Sequence, residues 1–79
     1  MKRLYKRDIG SVFVVRFLDH VENAPEPAVT EAMGRLRGFD RRTIRLRAWG
    51  YPDDPKAEEH TDYAILRSTV SEITQYVPG

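Results

Sequence analysis

Between Gly34 and Ala48, apolar and charged residues alternate with a period of two. Leu36 leads into a turn at Phe39-Asp40-Arg41-Arg42, and Ile44 and Leu46 lead out of it. That period belongs to strands, so the stretch reads as a hairpin with one apolar face and one basic face. Arg35, Arg37, Arg45 and Arg47 share the basic face, and Arg41 and Arg42 sit on the turn. A reading of this chain has to account for six arginines on one hairpin.

The rest of the chain is consistent with strands. Ser11 to His20 is rich in valine and phenylalanine, which favours a strand. Val12, Val14 and Leu18 fall on one side of it, and Phe13, Val15 and Phe17 on the other. A strand apolar on both faces is expected to be covered on both faces, as in a sheet that wraps on itself. Residues 21 to 28 contain Pro25 and Pro27 and read as a loop. Val29 to Met33 either starts the second strand or forms a short helix, and Gly34 favours a bend. Ala48 to Tyr51 extends the third strand, and a long acidic loop spans about 51 to 61. Tyr63 to Arg67 reads as a fourth strand, Ser68-Thr69 as a turn and Val70 to Val77 as a fifth strand. The spacing of Ile65, Leu66, Thr69, Ile73 and Tyr76 also fits a helix, but the β-branched content of 63–77 favours strands. Residues 2 to 8 form either one short helical turn or no regular structure, with Lys2, Arg3, Lys6 and Arg7 as a solvated face or a phosphate-contacting arm. The fold class expected is all-β: five short strands in a small, strongly bent barrel, as a single domain over residues 1–79.

Charge is distributed unevenly, although the net charge is only +1. The basic hairpin is followed by Asp53, Asp54, Glu58, Glu59 and Asp62 against Lys56. There is no cysteine, so disulfides and thiolate metal sites are excluded. A small domain without such staples often gains stability by oligomerising. No apolar run approaches the ~20 residues of a membrane helix, and no signal-peptide pattern is read at the N-terminus. The expectation is a soluble cytoplasmic protein.

The segment Gly34-x-Leu36-x-Gly38-Phe39-Asp40-x-x-Thr43-Ile44-x-Leu46 resembles the first signature of the Sm-like (LSm) family, in the register of its bacterial host-factor branch. Ile65 to Ile73 resembles the second signature, in which strand four passes through a one-turn connection into strand five. Val14 to Asp19 looks like the family's first strand. The resemblance implies a five-stranded Sm-like/SH3-type barrel with an N-terminal helical turn. It also implies homo-oligomeric rings of about five to seven subunits, closed by strand five of one subunit on strand four of the next. It implies single-stranded RNA as the partner, bound near the pore. Carried over by position, the contacting residues are Arg41, Arg42 and Thr43, then Arg67 and Ser68. No cofactor and no metal is implied. Arg42 stands where the branch usually has an aromatic, and a guanidinium can stack on a base as well as pair with phosphate.

Other features read as structure first. Asp40 is a turn former. Trp49 and Tyr51 supply packing or interface area, or less simply a base-stacking platform. Arg35, Arg37, Arg45 and Arg47 need anions, because like charges opposed across strands destabilise. Glu31, Glu72, a neighbouring subunit or nucleic-acid phosphate would supply them. His60 lies beside Glu58, Glu59 and Asp62 in a spacing that matches no metal site and reads as a solvated loop. No catalytic constellation is present, so an enzyme is not expected. The alternative to RNA binding is a structural or protein-interaction oligomer of the same fold. A third reading is a monomeric SH3-like barrel.

Overall fold

The computed structural model describes residues 3–19, 26–50, 53–54 and 56–77. Five strands form one antiparallel sheet: β1 (Val12–Asp19), β2 (Ala28–Phe39), β3 (Thr43–Trp49), β4 (Thr61–Leu66) and β5 (Val70–Gln75). Their spatial order is β4-β3-β2-β1-β5. The only helical pieces among the described residues are two 3-10 turns, Lys6–Asp8 before β1 and Arg67–Thr69 between β4 and β5. No helix among them is long and apolar enough to cross a membrane. The all-β expectation therefore holds: 29–33, considered as a short helix, is strand, and 63–77, considered as a helix, holds the end of β4, the Arg67–Thr69 turn and β5. Ile65 and Ile73 are core residues, whereas Leu66, which the helical spacing would also have buried, is exposed.

The alternation in sequence selects the buried face. Phe13 and Val15 of β1, Leu36 of β2, Ile44 and Leu46 of β3, Ile65 of β4 and Ile73 of β5 form one hydrophobic cluster, closed by Leu4. Val15 and Leu46 are fully shielded, at 0% exposure. Among the described residues no second sheet or long helix covers this face, so the sheet must curl over its own core. A flat five-stranded sheet would hold β4 and β5 roughly 19 Å apart. Two devices allow the curl. Bulges interrupt the pairing at Arg16/Phe17, Leu36/Gly38 and Arg47/Trp49, and bulges bend and twist the strand that carries them. Gly34 is the second device. A Cβ there would lie 2.7 Å from the Arg47 carbonyl oxygen and 2.9 Å from its carbonyl carbon.

The N-terminal segment is tied to this sheet. The buried Asp8 side chain accepts a hydrogen bond from the Tyr5 amide through Oδ2 at 2.8 Å. Gly10, at φ +96°, turns the chain and donates its amide to the Leu36 carbonyl at 2.8 Å. Of the two forms expected for residues 2–8 the structure has the short helical turn, and it buries Leu4 and Asp8 beside the basic residues. Lys6 and Arg7 do face solvent, and Arg7 lies 4.6 Å from the centroid of the Tyr5 ring.

A correction concerns β1. Its odd-numbered side is in the core, but its even-numbered side is not covered by this chain: Val12 and Val14 are half-buried and Leu18 is exposed. The cause is the single layer, which has one interior only. The sheet is also open, since β4 and β5 occupy its two edges without pairing to each other.

Because Gly34 meets backbone, Gly34→Ala is expected to destabilise the fold by about 1–3 kcal/mol. The melting temperature should fall by roughly 4–8 °C for each kcal/mol. A Cβ at Gly38 would lie 2.6 Å from Arg45 Nη2, the free end of a flexible side chain. Gly38→Ala should therefore cost less. Thermal melts followed by circular dichroism check the order, and equal losses for the two variants would contradict it.

Candidate functional site

The β2–β3 turn is built by one carboxylate. Asp40 Oδ1 accepts the amides of Arg42 and Thr43, each at 2.8 Å, and the Thr43 hydroxyl at 3.2 Å. The Asp40 amide donates back to the Thr43 carbonyl at 3.0 Å. These bonds favour the ionised form. They hold the Asp40 carboxyl below its ordinary range, the Arg42 amide contributing most. The turn-forming role read from the sequence is what the geometry gives. It leaves the Arg41 and Arg42 side chains exposed at the tip.

The connection between β4 and β5 docks against this turn. Thr43 pairs with Leu66 in the β3–β4 register, which sets the following residue beside the turn. Arg67 then donates its amide to the Arg42 carbonyl at 2.8 Å. Its guanidinium donates from Nη1 to the Asp40 carbonyl at 2.8 Å. Thr69 Oγ1 closes the 3-10 turn on the Leu66 carbonyl at 2.6 Å, and Ser68 is exposed. The five residues expected from the family resemblance are therefore gathered at one end of the sheet. Arg41, Arg42 and Ser68 face solvent. Arg67 is half-buried and anchored, with most of its five N–H donors unused by that bond. Thr43 is half-buried and its hydroxyl serves the turn. The Arg67 contacts with the turn were not legible locally, because the side-chain contact spans 27 residues.

The strand arginines divide. Arg35 stands directly opposite Arg47. Arg47 is paired with Asp62 of β4, Nε to Oδ1 at 2.8 Å and Nη2 to Oδ2 at 3.2 Å. Arg35 donates to the Gly10 carbonyl. The Arg47 hydrogen bond is the chief reason the Asp62 carboxyl lies below its ordinary range. Glu31, proposed from sequence as a partner for these arginines, instead holds Arg16, and Glu72 lies opposite Arg16 in the β1–β5 register. This corrects that expectation. The reason is register: Arg16 pairs with Glu31 across β1–β2 and with Glu72 across β1–β5.

Elsewhere, His60 Nδ1 lies 3.0 Å from the Ala57 carbonyl and Nε2 lies 3.5 Å from Asp62 Oδ2. No group of three potential metal ligands occurs among the described residues. Trp49 is about half exposed at the end of β3. Tyr51, His20 and most of the 21–28 loop lie outside the described residues. No family model matches the chain, and no curated protein and no solved structure matches it significantly.

Chemically, the end of the sheet is a cationic platform. Two guanidiniums are exposed and a third is fixed by the backbone of the turn. The carboxylate beneath them is occupied by three donors. Such a platform suits bidentate recognition of phosphate and stacking on planar groups.

Both Asp40 and Asp62 have depressed folded-state values, so each adds stability above the unfolded value of 3.8. That stability is lost as pH falls through the folded-state value. The melting temperature should drop as pH falls below about 4. An Asp40→Asn/Asp62→Asn double variant should start lower near neutrality and lose less over that window. Parallel acid limbs for the two proteins would contradict the assignment.

Proposed function

We propose that this chain is an Sm-like subunit that assembles into a homo-oligomeric ring and binds single-stranded RNA at the cationic end of its sheet. On this reading the curled sheet is the small Sm-like/SH3-type barrel. The observation that carries it is the hydrogen bonding of Arg67 to the backbone of Asp40 and Arg42. It unites two segments far apart in sequence, and the united residues are those the family resemblance assigns to RNA. Arg41, Arg42 and Arg67 take phosphate or stack on bases, with Ser68 beside them. The open edges support the ring. β5 of one subunit adds to β4 of the next, and exposed Tyr63 and Leu66 of β4 and Tyr76 just beyond β5 lie where such a contact gives them cover. Pairing removes two sheet edges that otherwise invite aggregation. It also adds burial that a domain this small lacks alone.

A second reading keeps the assembly without RNA. It is favoured by the apolar groups on the outer face of β1 and β2, where Leu18, Val29 and Met33 are all exposed. An apolar protein contact there would be insensitive to salt, whereas RNA bound through arginines loses affinity steeply as salt rises.

Fluorescence anisotropy with short labelled RNAs across a salt series separates the two. Arg42→Ala and Arg67→Ala are each expected to weaken binding about tenfold and to lower the salt slope by about one. Light scattering should give a mass several times 9.2 kDa. No binding at low salt would overturn the RNA reading, and a 9.2 kDa species would overturn the ring.

A further inference from the structure

The turn and its neighbour Arg67 use three of the chain's arginines, and the strand face of the hairpin remains. Alternation places Arg35 and Arg37 of β2, Arg45 and Arg47 of β3 and Asp62 of β4 on one outward side. The bulge at Leu36/Gly38 makes Gly38 the residue opposite Arg45, with Arg37 inserted beside it. The Arg45 guanidinium lies against Gly38, in the space a Cβ would fill. Arg47 is engaged by Asp62 and Arg35 by the Gly10 carbonyl. Among the described residues, no carboxylate makes a direct ion pair with Arg37 or Arg45, although Asp62 lies near enough to feel the charge of Arg37 and Asp40 that of Arg45. Both side chains are exposed. The other outward acids on the sheet, Glu31 and Glu72, flank Arg16 instead.

Four guanidiniums against one carboxylate is a concentration of like charge that a sheet face carries at a cost to stability. The patch is also continuous in one direction: Arg37 and Arg45 lead along the hairpin to Arg41 and Arg42 at its tip, where Arg67 joins. Successive outward residues on a strand stand roughly 7 Å apart. The result is a row of guanidiniums in which Arg35 and Arg47 are already engaged and Arg37 and Arg45 are exposed to solvent.

We propose that the outward face of the β2–β3 hairpin, centred on Arg37 and Arg45, is a track for the sugar–phosphate backbone of a nucleic-acid strand leaving the turn. The track is sequence-independent, because guanidiniums on phosphates carry no base information. It rests on the reading of the turn as an RNA site and extends that site along the strands. The acidic loop that follows β3 is the competing occupant, in the form of Asp53, Asp54, Glu58 and Glu59 of a second copy.

The test compares two homopolymer RNAs, of about 5 and about 16 nucleotides, within the range one small barrel spans. Wild type is compared with Arg37→Ala/Arg45→Ala and Arg37→Lys/Arg45→Lys. The alanine pair should bind the short RNA as wild type does and the long RNA at least tenfold more weakly. Its salt slope on the long RNA should fall by about two. The lysine pair should retain most of the long-RNA affinity, since charge is kept. Without RNA, the alanine pair should melt no lower than wild type at low salt, because repulsion has been relieved. Unchanged affinity of the alanine pair for the long RNA overturns the track while leaving the turn site standing. Loss on the long RNA when Arg42→Ala/Arg67→Ala binds both lengths normally supports the track and overturns the turn site. Low-salt self-association that the alanine pair abolishes, with RNA affinity unchanged, assigns the face to the acidic loop of a second copy and overturns the track.

Discussion

One sheet has to enclose its own core. Everything else in this molecule follows from that constraint, because the chain has no cysteine and its described residues hold no second layer and no long helix to share the burial. A single layer can be dry on one side only if it curls. Gly34 permits the close approach of β2 to the Arg47 carbonyl, and three bulges supply the bend. The eight buried apolar side chains are then drawn from every strand and from Leu4. A larger side chain at Gly34 would act on the whole sheet, since β2 is the middle strand.

The same constraint sends every hairpin arginine outward. Leu36, Ile44 and Leu46 hold the interior, so Arg35, Arg37, Arg45 and Arg47 have only the convex side. Strand pairing also brings the β2–β3 turn and the β4–β5 connection together. β3 pairs with β4 so that the chain leaving β4 meets the chain turning out of β2. Asp40 is the hinge of that meeting, its carboxylate shaping the turn and its carbonyl receiving Arg67. A structural aspartate thus presents three arginines without neutralising them.

The local features were legible in the sequence. Alternation gave the hairpin and its two faces, and β-branched residues gave β4 and β5. Asp40 was readable as a turn former from its type and place. Longer-range pairing was not readable in the same way. Glu31 is one of several anions the sequence offers to the hairpin arginines, yet antiparallel pairing of β1 with β2 gives it to Arg16. The burial of Leu4 was not legible among its basic neighbours, since it depends on Gly10 and Asp8 folding the N-terminus onto β2. The outer side of β1 looked fit for burial, and in one chain it stays open.

The central claim is that Arg41, Arg42 and Arg67 form one RNA-contacting surface. Ultraviolet cross-linking to single-stranded RNA, with the attached peptides identified by mass spectrometry, tests it most directly. The account predicts cross-links within residues 41–43 and 67–68, lost together when Asp40→Ala loosens the turn. Cross-links confined to the Leu18, Val29 and Met33 face, or none at low salt, would contradict it.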